Sequence, residues 1–147
     1  MLRFPIAQRA GFRVAALMAA ALGASAGAPV LADEPPAYVV NVSDVTAKVG
    51  EPAVMRVTLK IRDGFRILKA YNNRVGSLSS WDEGVAFENK VVRATAEDDT
   101  LVFTVGLRAT KPGRHAINGL FRVGYIHDPD EMSMVSLPLI ANVTGAE

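Results

Sequence analysis

In three runs between Leu101 and Val143 apolar side chains recur at alternate positions, and few backbones other than a β-strand can use such an alternation. Leu101, Phe103, Val105 and Leu107 share one face of a first run. Ile117, Phe121, Val123 and Tyr125 share one parity of a second, with Asn118 and Arg122 on the other. Lys111-Pro112-Gly113-Arg114 lies between them. Proline presets φ at the first corner of a turn and glycine accepts positive φ at the next. The spacing predicts an antiparallel hairpin with one greasy side, which a second sheet must cover. A third run, Val135, Leu137, Leu139, Ala141 and Val143, carries Pro138 on the opposite parity, as suits an edge strand.

Upstream the same reading continues. Tyr38 to Val42 reads as a first strand at an edge, and Lys48-Val49-Gly50-Glu51-Pro52 as a turn. Met55, Val57, Leu59 and Ile61 alternate with Arg56, Thr58, Lys60 and Arg62, the pattern of a half-buried strand. Asp63-Gly64 ends it, and Phe65 to Leu68 resumes as a short strand. From Lys69 to Gly84 the alternation fails, which predicts a long polar connection with Leu78 and Trp81 embedded in it. Connections of that length carry function or cross between sheets. Val85-Ala86-Phe87 and Val91-Val92 read as one strand broken around Asn89, and Glu97-Asp98-Asp99 as an acidic turn. The whole is an all-β, immunoglobulin-like β-sandwich of about seven antiparallel strands over residues 38–147.

The N-terminus has a different composition. Arg3, Arg9 and Arg13 precede an uncharged, Ala-rich stretch, no acid occurs before Asp33, and Val30-Leu31-Ala32 fits a small-x-small cleavage site. Residues 1–32 read as a signal peptide and 33–37 as a flexible leader left by cleavage. The rival is an uncleaved membrane anchor, but Gly23, Ser25, Gly27 and Pro29 dilute the apolar run. Export to the periplasm or the exterior follows, with no stable membrane insertion after cleavage. The chain has no cysteine, hence no disulfide and no lipoprotein anchor. Taking the three leader arginines from 16 Lys+Arg leaves 13 against 15 Asp+Glu, a formal charge of −2 for Asp33 to Glu147. So balanced a chain argues against nucleic acid, which binds through neutralised phosphates.

The order of these segments carries a resemblance. Lys-Val-Gly-Glu opens a strand at Lys48, Asp-Gly-Phe-Arg-Ile follows from Asp63, and then comes the long connection. Leu101-Val102-Phe103 leads to Lys-Pro-Gly-Arg-His and a strand reaching Tyr125, and Val135-Ser136-Leu137-Pro138-Leu139 closes the chain. From Lys48 to Val143 this layout resembles the immunoglobulin-like N-terminal domain of the periplasmic thiol:disulfide interchange reductase and its stand-alone secreted relatives. In that family the loop after the Tyr-containing strand carries a cysteine pair. Here the matching stretch runs Ile126 to Met134 without one, so no thiolate is available for exchange and the redox residues do not carry over. The resemblance implies a sandwich without that chemistry.

Candidate sites are few. His127, Met132 and Met134 form a soft N/S set of the kind copper suits, which would make the chain a periplasmic copper carrier. The lack of a His pair or a Met repeat favours a plain loop instead. Calcium through Asp128, Asp130 and Glu131 lacks the spaced carboxylate–Gly pattern. His115 reads as a rim histidine at the sandwich end, with no signposted nucleophile beside it, and Gly76-Ser77-Leu78 is not a Gly-x-Ser-x-Gly elbow. Asp63, Asp82, Glu83, Asp98 and Asp99 sit in turns where solvation is the ordinary role. Trp81, with Tyr71 nearby, either plugs one end of the sandwich or lines an interface. The expectation is a non-enzymatic module making protein–protein contacts, with no cofactor. The partner-contact candidates are Tyr71, Trp81, Tyr125, His127, Asp128 and Asp130.

Overall fold

The computed structural model describes residues 35–127 and 129–147; the expected signal peptide, its cleavage site and Asp128 lie outside them. Residues 34–147 form a compact unit with a hydrophobic core of their own. Two sheets face each other across that core. In the first, β3 (Pro52–Ile61) and β9 (Thr100–Ala109) pair antiparallel over most of their length. Tyr38–Val42 (β1) covers the outer edge of β3, and Val85–Phe87 (β6) and Thr95–Glu97 (β8) share the far edge of β9. The expected strand at Met55–Ile61 is confirmed, with all four of its apolar residues buried.

The second sheet is built on β10 (Gly113–His127), which pairs antiparallel with β11 (Glu131–Ala146) from Gly113 opposite Gly145 to His127 opposite Glu131. The other side of β10 takes β4 (Phe65–Ile67) and β5 (Arg74–Ser80), with β7 (Val92–Arg93) beyond β5. Val45–Lys48 (β2) lies parallel to Val143–Ala146 of β11. The sandwich thus has eleven strands among the described residues rather than about seven, and one pairing is parallel. The additional strands are mostly two to four residues long, too short for alternation to register.

The expected hairpin between Leu101–Leu107 and Ile117–Tyr125 does not form. β9 and β10 lie in different sheets, and Phe103 faces Phe121 across the core with ring centroids 5.1 Å apart. As hydrogen-bonded neighbours the two runs would leave both apolar faces on one side, waiting for a cover. Facing each other, each is the cover, and each fully buried side chain contributes roughly 1.5–3 kcal/mol. The Pro-Gly turn therefore makes a corner between sheets, with Gly113 at φ 102°.

The Lys69–Gly84 segment is also not one long loop, because Arg74–Ser80 is strand β5. Its alternation is broken by a bulge at Ser77, a non-glycine residue at φ 53°, where the register against β10 shifts between Asn118 and Leu120. Before the bulge Val75 is the buried residue, and after it Leu78, so the inward parity changes from odd to even. Leu78 and Val75 then fill the space over Gly119, an inward position of β10 without a side chain. Pro35–Ala37 are docked rather than a free leader: Arg62 donates to the carbonyls of Ala37 and Pro36, and Ala37 is buried.

Candidate functional site

At one end of the sandwich two sheet-crossing turns meet, the one from β5 to β6 and the one from β9 to β10. His115, at the start of β10, is 5 % exposed and points between them. Its Nδ1–H donates to Asp82 Oδ2 at 2.6 Å and its Nε2–H to the Lys111 carbonyl at 2.8 Å. Only imidazolium donates from both nitrogens. The hydrogen bond to Asp82, then that to the Lys111 carbonyl, accordingly raise the His115 pKa above its ordinary value. Asp82 also accepts from the Gly84 N–H and the Ser80 hydroxyl, both at 3.0 Å. Those bonds, led by the one from His115, lower its carboxyl to about 2. Lys111 Nζ donates to the Asp82 carbonyl and Thr110 Oγ1 to that of Glu83. Gly84 lies so close to the imidazole that a Cβ there would collide with it.

Chemically this cluster is a clamp. Both ring nitrogens are committed, and Ser80 donates to the carboxylate rather than to the imidazole, so the groups are not arranged as nucleophile and base. Two expectations change. Asp82 is not an ordinary solvated turn residue, and His115, at the sandwich end as expected, is a bonded, buried group rather than a rim one. The sequence held no signal for the pairing, since 33 residues separate the partners.

A second polar anchor, with no signal in the sequence, is Asn73, which is buried. Its Nδ2 donates to the carbonyls of Leu68 and Tyr71, and its Oδ1 accepts from the Gly124 N–H at 2.8 Å. Tyr71 thereby lies against Gly124, where a Cβ would press on its ring. Tyr71 and Asn72 line an open groove of ≈ 370 Å³ with Lys69 and Arg93 at its sides. Trp81 does not plug the sandwich: it is 86 % exposed, just beyond the end of β5.

Within the stretch from Tyr125 to Met134, Tyr125–His127 and Glu131–Met134 are strand arms and 129–130 is a turn, rather than all of it being loop. Phe65 stacks on His127 with ring centroids 4.7 Å apart and meets Tyr125 edge-on at 5.6 Å. These three line a cleft of ≈ 290 Å³ with Pro35, Pro36, Glu131 and Ser133. Asp130, in the turn, forms an exposed ion pair with Arg66 at 3.6 Å. The register sets Met132 opposite Ile126 and Met134 opposite Gly124, on the face away from Tyr125 and His127. The candidate copper ligands His127, Met132 and Met134 therefore do not converge, because the imidazole and the thioethers leave opposite sides of the sheet. Tyr125 and His127 belong to one surface, Trp81 and Tyr71 to others. No family model matches this chain, and the comparison with curated proteins finds no match.

Proposed function

We propose that this chain is an exported, non-enzymatic interaction module, periplasmic or secreted, that works by protein–protein contact. The observation that carries the reading is the open edge of β11. Among the described residues no strand pairs with the far side of Glu131–Asn142, since β2 reaches only Val143–Ala146. Val49 N–H donates to the Ala146 carbonyl on that side, so even-numbered residues of β11 direct their amides outward. Pro138 removes one donor, which leaves Met132, Met134 and Ser136 as a run onto which a partner strand can add. The aromatic cleft of Phe65, Tyr125 and His127 adjoins this run. The likeness in layout to the sandwich domain of the thiol:disulfide reductase, without its cysteines, supports recognition rather than redox exchange.

The test is capture of a partner from periplasmic extract by residues 34–147 and by a Ser136→Pro variant. Proline at an outward amide removes an edge donor without touching the β10 ladder. Stoichiometric retention of one protein by the parent, lost in the variant, supports the reading. Equal retention by both, or turnover of a substrate that depends on a replaceable side chain, defeats it.

A further inference from the structure

The near-neutral net charge conceals an uneven distribution. Across the second sheet Arg122 stands opposite Arg74, and Arg74 opposite Arg93. Each neighbours a core residue in sequence (Phe121, Val75 and Val92), so all three side chains leave on the solvent side. Directly opposed Cβ atoms are about 5 Å apart, and like charges so placed oppose folding. Arg74 donates to the Asn72 carbonyl, and among the described residues none of the three makes an ion pair. Arg66 and Arg114 share the face, Arg66 meeting Asp130 in the turn. The one acid in the strands of this sheet, Glu131, sits opposite His127 on the other parity. The first sheet is different: there Arg56 meets Glu97 at 3.6 Å and Lys60 meets Asp99 at 3.4 Å.

The same solvent face carries exposed apolar groups. Met132, Met134 and Ile140 project from it, and Val91 packs over Gly76. Trp81, bonded through its backbone N–H to the Ala116 carbonyl, follows the inward-facing Ser80 and turns its ring outward. The cavities lie elsewhere; the groove beside Tyr71 takes only Arg93 from this row. A broad face whose strands carry Arg74, Arg93, Arg114 and Arg122 and no acid on the same parity, interleaved with thioether, aliphatic and indole groups, complements a surface negative throughout and apolar beneath. Arginine forks hold phosphate oxygens in pairs, and indole favours headgroup depth.

We propose that this face docks on an anionic lipid surface, with Arg122, Arg74 and Arg93 on headgroup phosphates and Trp81, Met134 and Ile140 in the interface. The inference goes beyond the protein-contact reading, which uses the edge of β11 and not the face. Residues 34–147, which carry their own core, are floated with vesicles of phosphatidylcholine and with equimolar phosphatidylcholine and phosphatidylglycerol. The single tryptophan reports insertion by a blue shift in emission. Binding is expected to the mixed vesicles alone and to weaken with salt. At about fivefold per cation, Arg93→Glu/Arg122→Glu weakens it by at least about 25-fold. That variant replaces three like charges with an alternating row, so its melting temperature does not fall. Three results overturn the proposal: no flotation with mixed vesicles at low salt, equal flotation of the variant, or binding to soluble polyglutamate with the vesicles ignored. Absent lipid binding, with a partner captured by the parent and lost by Ser136→Pro, fails this proposal alone; lipid binding with equal capture by the parent and Ser136→Pro fails the edge reading alone.

Discussion

Replacing His115 by phenylalanine keeps most of the ring volume and removes both hydrogen bonds of the clamp. The bond to a carboxylate is worth about 1.5–3 kcal/mol and the one to a carbonyl about 1 kcal/mol, so the expected loss is about 2–4 kcal/mol. For a domain of this size that lowers the melting temperature by about 8–16 °C. The pH profile identifies the cause. The His115 pKa is raised above 6.5 in the fold, so its contribution is complete below pH 6.5 and is lost as pH rises through the higher folded value. The Asp82 pKa is lowered from 3.8 to about 2, so its contribution is present above pH 3.8 and is lost as pH falls toward 2. The clamp is therefore fully closed between about pH 4 and 6.5. Thermal or urea melts of residues 34–147 across pH 4 to 9 should show the parent weakening on the alkaline side and His115→Phe flat there. Parallel profiles for the two proteins, or a cost well under 1 kcal/mol, would refute the assignment of a charged, doubly bonded imidazole.

Three further outcomes follow from the geometry. Asn73→Ala leaves the buried Gly124 N–H without its acceptor and should cost about 1–3 kcal/mol in urea melts, with Tyr71 losing its fixed position. Ser77→Gly removes a Cβ from a left-handed backbone position and should raise stability by several tenths to about 1 kcal/mol by the same assay. A copper titration followed by bound-metal stoichiometry should give no tight site that needs His127, Met132 and Met134 together, and a one-to-one complex abolished by each of their alanine variants would contradict the register.

Legibility followed the length of uninterrupted alternation. β3, β9, β10 and β11 are each ten or more residues long, and parity alone gives most of their buried positions; Val102 and Gly124 are buried on the other parity. Parity cannot say which strand is a neighbour and which faces across the core, so the β9–β10 corner looked like a hairpin. In β5 the bulge at Ser77 changes parity in mid-strand, and a segment that needs an odd inward residue before it and an even one after it reads as irregular. The clamp and the Asn73 anchor join residues 33 and 51 positions apart, which only the finished fold brings together. The arginine row was invisible for the same reason. Arg74, Arg93 and Arg122 are unremarkable singly and become a row only through the pairing of β10, β5 and β7.

β10 ties these features into one constraint. On one parity it carries His115, Ile117, Phe121 and Val123 inward; on the other, Arg114 and Arg122 outward. A slip of one residue against β11 would trade Phe121 for Arg122 in the core, so register and surface chemistry stand or fall together. Both ends are held. Near Gly113 the opposite residue, Gly145, sits so close to the Lys111 carbonyl that a Cβ would collide with it, and near the far end Asn73 binds the Gly124 amide. On the outer face the unneutralised arginine row opposes that holding. Substitutions among the arginines should therefore change what the face binds while the fold persists. Substitutions at the anchors should loosen β10 and, through it, both the face and the edge.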